Sequence, residues 1–252
     1  MIEVKNLSVS YGKTQILCDL SFTLPQGSLV SVIGTNGSGK STMIKAVLGI
    51  IEPQSGDILV DGTSTSSLSR GDIAKKIAYL AQGKSVPDMT VGQMVLHGRF
   101  PHLGYPRRYS EKDCKIAADA LERTGLTGYR DKTMSSLSGG MRQNAYIAMA
   151  LAQDTDYILL DEPTSYLDIT HQIQLMHTLR SLADSGKGIA AVMHDLPLAF
   201  GFSDAIAVLS DGKTVLCDTP ENVCRSNIIK DIFGIELKYN ADEKYYCYNL
   251  NI

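Results

Sequence analysis

One segment of the sequence combines glycines, a lysine and a serine at the spacing of a phosphate-binding loop. Residues 34–41 read Gly-Thr-Asn-Gly-Ser-Gly-Lys-Ser and match the pattern G-x-x-x-x-G-K-[ST]. Glycines allow successive backbone N–H groups to turn toward phosphate oxygens, the lysine can contact the β- and γ-phosphates, and the serine hydroxyl can bind Mg²⁺. The candidate phosphate-contacting residues are Gly34, Asn36, Gly37, Ser38, Gly39, Lys40 and Ser41.

The flanking residues decide between such a loop and a flexible glycine turn with a solvated lysine. Residues 29–33 are mainly apolar and β-branched, which predicts a strand. From Met43 to Ile51 apolar residues recur at helical spacing, and Pro53 and Gly56 follow. A phosphate-binding loop joins a strand to a helix, so these flanks favour it over the flexible turn.

Two adjacent carboxylates end another apolar strand. Residues 157–160 read Tyr-Ile-Leu-Leu, and Asp161 and Glu162 follow. Because parallel strands open at their carboxyl ends onto a ligand crevice, we expect both carboxylates near the phosphate loop. Asp161 could bind Mg²⁺, and Glu162 could polarise a water for attack on a γ-phosphate. The alternative, a strand that simply exits into a polar loop, leaves the nearby phosphate loop without a catalytic partner.

A second helix start has the composition of an anion-binding site. Ser138, Gly139 and Gly140 precede a helix in which alanines recur at helical spacing, and the N–H groups of such a terminus attract anions. The chain therefore carries two predicted phosphate-binding segments but only one acidic pair. This predicts a two-fold dimer in which the second segment of each subunit covers the nucleotide held by the other.

Composition excludes several classes of protein. The 252 residues carry 24 Lys and Arg against 27 Asp and Glu, a balance that gives no reason to expect a nucleic acid partner. The longest apolar runs are far shorter than the roughly 20 residues that span a membrane, and no secretory signal opens the sequence, so we expect a cytosolic location. The five cysteines are scattered and unpaired in sequence, as expected of reduced thiols.

Strand and helix patterns predict one α/β domain with a mostly parallel sheet and antiparallel additions. We expect a loop containing Tyr11 and Gly12 between the first two strands, and a hairpin that turns at residues 211–212. No role is assigned to the polar, aromatic C-terminal tail. The predicted division of the single domain 1–252 is a catalytic core with a β subdomain at 1–82 and 153–230, a helical subdomain at 83–152 and a tail at 231–252.

The order of these motifs resembles that in the ATP-binding subunits of ABC transporters, over essentially the whole chain. The segments that carry the resemblance are 34–42, Gln82, Leu137–Gln143, Asp161-Glu162, Ser165-Tyr166-Leu167-Asp168 and His194-Asp195-Leu196. The resemblance implies a P-loop NTPase fold with a RecA-like core, an antiparallel β subdomain and a helical subdomain. It also implies a homodimer that closes over two ATP molecules with Mg²⁺ and opens after hydrolysis.

The same resemblance implies roles for residues that would otherwise be ordinary loop residues. Gln82 looks like the Q-loop glutamine, which senses Mg²⁺ and the attacking water, and His194 is similar to the switch histidine that contacts the γ-phosphate. Asp168 resembles the D-loop aspartate at the dimer seam, and Tyr11 resembles the aromatic residue that stacks on adenine. Thr42 completes the phosphate loop.

Two positions depart from the family's signature. Met141 and Asn144 stand where a glutamine and a basic residue are usual, although the predicted phosphate contacts before them are intact. We therefore expect nucleotide binding to be retained.

A third segment bears on the kind of transporter. Residues 97–104 read His-Gly-Arg-Phe-Pro-His-Leu-Gly and resemble the G-R-x-P-H segment of ATPases that serve uptake of ferric siderophores, haem and cobalamin. We expect Arg99, Phe100 and His102 to form a surface that docks a cytoplasmic helix of a separate transmembrane permease. The resemblance further implies an extracytoplasmic substrate-binding protein and a location at the cytoplasmic face of the membrane.

Two other functions fit parts of the sequence. A soluble ABC-type ATPase with an assembly or repair role would be favoured by fused cassettes or a long coiled-coil insertion, and neither is present. A P-loop kinase or GTPase is disfavoured because the guanine-specificity pattern N-K-x-D does not occur and the segment 138–140 would be idle.

Overall fold

The computed structural model of the protein describes residues 1–83, 86–165, 167–240, 242 and 245–249. Tyr166, within one of the segments quoted above, lies outside them. The strands are β1 (Ile2–Tyr11), β2 (Thr14–Leu24), β3 (Leu29–Gly34), β4 (Ser55–Val60), β5 (Thr63–Ser64), β6 (Ile77–Leu80), β7 (Tyr157–Asp161), β8 (Gly188–Val192), β9 (Ala205–Ser210), β10 (Lys213–Asp218), β11 (Glu236–Asn240) and β12 (Tyr245–Asn249). The helices are α1 (Lys40–Val47), α2 (Arg70–Lys76), α3 (Val91–His97), α4 (Glu111–Arg123), α5 (Gly139–Ala152), α6 (Ile169–Asp184), α7 (Leu196–Phe202), α8 (Pro220–Arg225) and α9 (Ile228–Phe233).

A six-stranded sheet places the predicted phosphate loop and the acidic pair on one edge. Its order is β10-β9-β3-β8-β7-β6, with parallel pairing throughout except for the antiparallel edge strand β10. Val192 of β8 pairs with Val32 on one side and with Asp161 on the other. Asp161 therefore lies level with the end of β3, two strands or about 10 Å away.

Strand β3 separates the two hydrophobic cores of the molecule. All six of its residues are buried, as expected of a parallel strand covered on both faces. Val30 and Val32 pack in the core that contains α1, α2 and the antiparallel sheet, whereas Leu29 and Ile33 pack in the core that contains helices α3 to α9. The phosphate loop thus begins from a fully buried strand.

A second sheet is antiparallel, with order β2-β1-β4-β5. The predicted loop between the first two strands is wrong: β1 continues to Tyr11, and β2 begins at Thr14 after a two-residue turn. The pairing of β1 with β2 shifts register at three places, which disturbs the alternation by which a strand is recognised in sequence. The predicted hairpin around residues 211–212 is confirmed by β9 and β10.

Between residues 86 and 152 the regular elements are helices and 3₁₀ turns, apart from one β-bridge between Thr90 and Thr133. Helices α3 and α4 begin at capping boxes formed by Thr90 with Gln93 and by Ser110 with Asp113, so the sequence defines both starts locally. The subdomain boundaries at 83, 153 and 231 stay predictions. Within the described part of the chain no helix is both long and apolar enough to cross a bilayer.

Candidate functional site

The phosphate loop connects β3 to α1, as its flanks predict. A Cβ added at Gly34 would lie 2.2 Å from the carbonyl oxygen of Leu209, and one at Gly39 would lie 2.4 Å from Leu17 Cδ2. Gly39 also has a φ of 98°, which L-residues with side chains rarely adopt. Glycine at position 34 is therefore required by close packing against backbone, and glycine at position 39 is favoured by its left-handed φ.

Lys40, the first residue of α1, directs its ammonium group back into this loop. Nζ donates hydrogen bonds of 2.7 Å to the Gly34 carbonyl and 2.8 Å to the Thr35 carbonyl, and it lies 3.4 Å from Ser38 Oγ. Burial lowers the pKa of Lys40, while the charges of Glu162 and Asp161 act in the opposite direction. The loop therefore contains a desolvated cation, which is suited to an anionic ligand.

The remaining predicted loop residues differ in their exposure to solvent. Ser38 is buried, Ser41 and Thr42 are half-buried on the first turn of α1, and Asn36 and Gly37 are exposed at the tip. This leaves the outer side of the loop accessible while its inner side is packed against β3.

Asp161, the last residue of β7, is 5% exposed and lies beside the Ser41 hydroxyl. Its Oδ1 is buried and has no hydrogen-bond partner. Burial raises the pKa of Asp161, an effect increased by the charge of Glu162 and opposed by Ser41, Lys45 and Lys40. An unpartnered buried carboxylate oxygen beside a hydroxyl is a donor set suited to Mg²⁺, which prefers oxygen ligands.

No group of three His, Cys, Asp or Glu side chains in the described residues is placed to hold a metal ion. A Mg²⁺ ion at Ser41 and Asp161 would therefore need further oxygen ligands. Phosphate oxygens and water are its usual complement when only one or two protein ligands are present.

The other two predicted catalytic residues, Gln82 and His194, both contact Glu162. Gln82 Nε2 donates a 2.5 Å hydrogen bond to Glu162 Oε2, and His194 Nε2 lies 2.7 Å from Oε1. Ser165 also donates to Oε2 at 3.1 Å, a contact that its spacing from Glu162 did not predict. Both carboxylate oxygens are thus held by residues from three separate loops.

The predicted second anion site begins α5, a helix of 14 residues. Ser138 is its N-cap, and the Ser138 hydroxyl accepts a hydrogen bond of 3.3 Å from the Met141 N–H. Ser138 and Gly139 are exposed and Gly140 is buried. The exposed amides at the start of this helix can bind an anion.

A cleft of about 200 Å³ lies between several of these groups, and its lining includes Gln82, Gly139, Asp161 and Glu162. Asp168 and Tyr11 lie apart from it: Asp168 is the exposed N-cap of α6, and Tyr11, at the end of β1, is 50% exposed. The structure thus brings Gln82, Asp161, Glu162 and His194 together. Asp168 is not part of this group: it contacts His171, whose ring lies against Gly140 at the start of α5.

The expected docking surface of Arg99, Phe100 and His102 is wrong for Arg99, which is buried, and stays a prediction for Phe100 and His102. Arg99 is 5% exposed, with Nε 2.9 Å from Asp113 Oδ1 and Nη1 3.0 Å from the Ala152 carbonyl. His102 is half-buried, with Nε2 2.8 Å from the Gln153 carbonyl. Arg99 and His102 therefore fasten this segment to α4 and α5, and Phe100 alone is exposed, with the Arg107 guanidinium 4.4 Å above its ring.

The chain is similar to known ABC transporter proteins. A family model described as ABC transporter matches residues 17–165. The petrobactin import ATP-binding protein FpuD of Bacillus anthracis is 40% identical over 96% of this chain and 89% of the relative. The iron(3+)-hydroxamate import ATP-binding protein FhuC of Bacillus subtilis is 37% identical over 96% of this chain and 91% of the relative.

Solved structures show the same similarity. A chain of an inward-facing ABC transporter described as of the metal-chelate type has a TM-score of 0.84 and 27% identity, and the match covers 99% of this chain and 98% of that one. The cassette MJ0796, as a dimer with ADP and inorganic phosphate, has a TM-score of 0.75 and 28% identity, over 87% of this chain and 99% of that one.

Proposed function

Because this chain belongs to the ABC transporter family and is an ATPase, we propose that it energises the import of a metal chelate through separate transmembrane permease subunits. The observation that carries the catalytic part is the convergence of Gln82 and His194 on Glu162. The cargo class rests on relatives named for petrobactin and iron(3+)-hydroxamate import. Ferric siderophores are the first candidates, followed by haem and cobalamin.

Nucleotide binding is assigned to the loop 34–42. The buried Lys40 ammonium would compensate the charge of the β- and γ-phosphates, and the backbone N–H groups of the loop would donate to their oxygens. Tyr11 has the exposure needed to stack on adenine.

The metal assignment uses Ser41 and Asp161, with Gln82 as a third ligand. The Ser41 hydroxyl lies beside Asp161, and the buried Oδ1 of Asp161 has no protein partner. Gln82 donates its amide to Glu162, so its side-chain oxygen is directed away from that carboxylate and can serve as an acceptor group. When bound, Mg²⁺ neutralises the phosphate charge that develops during transfer.

Hydrolysis is assigned to Glu162 acting on water. One carboxylate oxygen is oriented by Gln82 and the other by His194, so the side chain is fixed before a water arrives. Glu162 would take the proton of the attacking water, and His194 would contact the γ-phosphate. A base held at both oxygens loses little orientational freedom in the reaction.

The complete site requires a second copy of the chain. Ser138, Gly139 and Gly140 at the start of α5, and Asp168 at the start of α6, would cover the nucleotide bound by the partner. The solved dimer of the MJ0796 cassette supports this arrangement. The proposed transporter places the ATPase dimer at the cytoplasmic face of the membrane, attached to the permease, and includes an extracytoplasmic substrate-binding protein.

Uptake by cells tests the proposal. A strain that lacks this gene would be complemented with the wild-type chain, with Lys40→Ala, or with Lys75→Ala as a control, because Lys75 is exposed on α2. Uptake of labelled ferric petrobactin, ferric hydroxamate, haem and cobalamin would then be measured. We expect the wild type and Lys75→Ala, but not Lys40→Ala, to restore uptake of one of the ferric chelates.

Two results would contradict the proposal. If Lys40→Ala restored uptake as well as the wild type, the nucleotide assignment would fail. If deletion of the gene left the uptake of all four chelates unchanged, the chain would instead act on another cargo or without a membrane partner.

A further inference from the structure

His171 lies between the two segments proposed to reach the partner's nucleotide. It is in the first turn of α6, where its Nδ1 lies 2.7 Å from Asp168 Oδ2 and 2.8 Å from Oδ1. The His171 backbone N–H also donates to Asp168 Oδ1 at 3.0 Å. The Asp168 carboxylate therefore holds both the backbone and the ring of His171, which fixes the orientation of the imidazole.

The same ring lies directly on Gly140. A Cβ added at Gly140 would be 2.1 Å from His171 Cδ2 and 2.6 Å from Cγ and Nε2. A side chain of any size at Gly140 would therefore displace the imidazole. Gly140 is buried although its neighbours Ser138 and Gly139 are exposed, so the ring covers one side of the first turn of α5 and leaves the end of the helix accessible.

Two further hydrogen bonds tie the same part of the chain together. Gln143 Nε2, on α5, donates to the Pro163 carbonyl at 2.9 Å, and Gln172 Nε2, on α6, donates to the Thr164 carbonyl at 3.2 Å. The segment that follows Glu162 is thus attached to both helices. His171 is the contact that joins the two helix starts directly.

We propose that His171 is a positioning residue that holds the start of α5 and the Asp168 turn as one unit, so that both reach the partner's nucleotide together. The inference rests on the proposed function, because it requires a dimer that closes over ATP. A displacement of either segment would have to break the imidazole–carboxylate bond or the contact of the ring with Gly140. Misplacement by about 1 Å at a catalytic site can reduce the rate on the order of 100-fold.

Three substitutions separate the two contacts of the ring. The backbone N–H bond to Asp168 remains in every variant. His171→Phe keeps an aromatic ring against Gly140 but removes the side-chain donor to Asp168, His171→Asn keeps a side-chain donor but removes the ring, and His171→Ala removes both. His177→Ala is the matched control, because His177 is an exposed histidine of the same helix whose ring packs on Phe202. The full-length protein would be used throughout.

The readouts are kcat and KM for ATP, thermal unfolding, and ATP-dependent dimerisation in the Glu162→Gln background. We expect His171→Ala to lower kcat roughly tenfold or more, to leave KM within about twofold, and to weaken the ATP-dependent dimer. We expect His171→Phe and His171→Asn each to recover part of kcat, and His177→Ala to match the wild type.

The inference is overturned if His171→Ala dimerises and hydrolyses ATP like the wild type, or if its only effect is a lower unfolding temperature. If His171→Ala does not fold, the same criteria apply to His171→Phe and His171→Asn. Failure of the proposed function gives a different result: the single variant Glu162→Gln would then remain monomeric with ATP, whatever residue stands at position 171.

Discussion

His194 Nε2 lies 2.7 Å from Glu162 Oε1, and this contact follows from the order of strands in the central sheet. Glu162 comes directly after β7, and His194 comes two residues after β8, which is the neighbouring parallel strand. Neighbouring parallel strands end at the same sheet edge, so the fold itself brings the proposed base and the switch histidine together.

Glu162→Gln should separate nucleotide binding from hydrolysis. The amide cannot accept a proton from water but fits the same space, so hydrolysis should fall roughly 100- to 10,000-fold while ATP binding is retained. Steady-state phosphate release and size-exclusion chromatography with ATP measure the two effects. Glu221→Gln, at an exposed ion pair with Arg225, is the control. A variant that hydrolyses ATP normally, or that never dimerises with ATP, would contradict the mechanism.

Asp161→Asn should weaken the contribution of Mg²⁺ to ATP binding. The substitution removes the negative charge of the carboxylate whose buried Oδ1 has no hydrogen-bond partner. The ratio of the ATP affinity with Mg²⁺ to that without Mg²⁺ should therefore be at least tenfold smaller in the variant than in the wild type. Binding of ATP with Mg²⁺ and with a chelator, by isothermal titration, measures this difference. Asp156→Asn, at an exposed position just before β7, serves as the control. An unchanged ratio of the two affinities would refute the metal assignment.

Arg99→Ala should act on stability rather than on transport coupling. The substitution leaves Asp113 buried without its cation, and breaking such a pair costs about 3–5 kcal/mol in the free energy of unfolding. Arg107→Ala, at the neighbouring exposed arginine, should change it by less than about 0.5 kcal/mol. Urea denaturation measures both values. Equal stability of the two variants would show that the Arg99–Asp113 pair does not fasten this segment.

Asp113 should make the free energy of unfolding depend on pH in the acid range. Hydrogen bonds from the Ser110 side chain and backbone, followed by the Arg99 hydrogen bond, lower the pKa of Asp113 from 3.8 to about 2. As the pH falls, the Asp113 carboxylate therefore takes up a proton more readily in the unfolded chain than in the folded one. Its contribution to the free energy of unfolding is full above about pH 4 and is lost as the pH falls toward 2.

Asp113→Asn should flatten the fall in unfolding free energy over that pH range, measured by urea denaturation at a series of pH values. Asp119→Asn is the control, because Asp119 is exposed on the same helix. A pH profile identical to that of the wild type would show that Asp113 does not contribute to it.

The sequence predicted the parts of the fold that have strong local patterns. The phosphate loop, the apolar strand before Asp161 and the start of α5 each carry their own glycine, cap or apolar signal, and the structure has a strand or helix at each. Their convergence was predicted only in outline, because it depends on strand order. The contacts of Ser165 with Glu162 and of His171 with Asp168 were not predicted, since each joins a residue to one three positions earlier and forms only in the folded chain.

The incorrect predictions have physical reasons as well. Arg99 was expected on the surface because residues 97–104 resemble a segment of siderophore-uptake ATPases, but its partners are Asp113 and the Ala152 carbonyl, which only packing brings near. Strand β2 was missed because residues of β1 and β2 pair with shifted register. Strand β6 has only four residues, too few for its pattern to be distinguished from that of a helix end.

The backbone of Glu162 has a φ of 51°, in the left-handed region, and the adjacent Asp161 carboxyl is buried. Such a conformation costs a residue with a side chain on the order of 1–3 kcal/mol, which glycine would not lose. Selection for thermal stability alone should therefore tolerate glycine at this position, even though glycine loses the hydrogen bonds from Gln82 and Ser165. A library of variants at position 162 sorted by heat resistance and the same library sorted by chelate uptake should consequently retain different residues, because stability and turnover make opposite demands on this position.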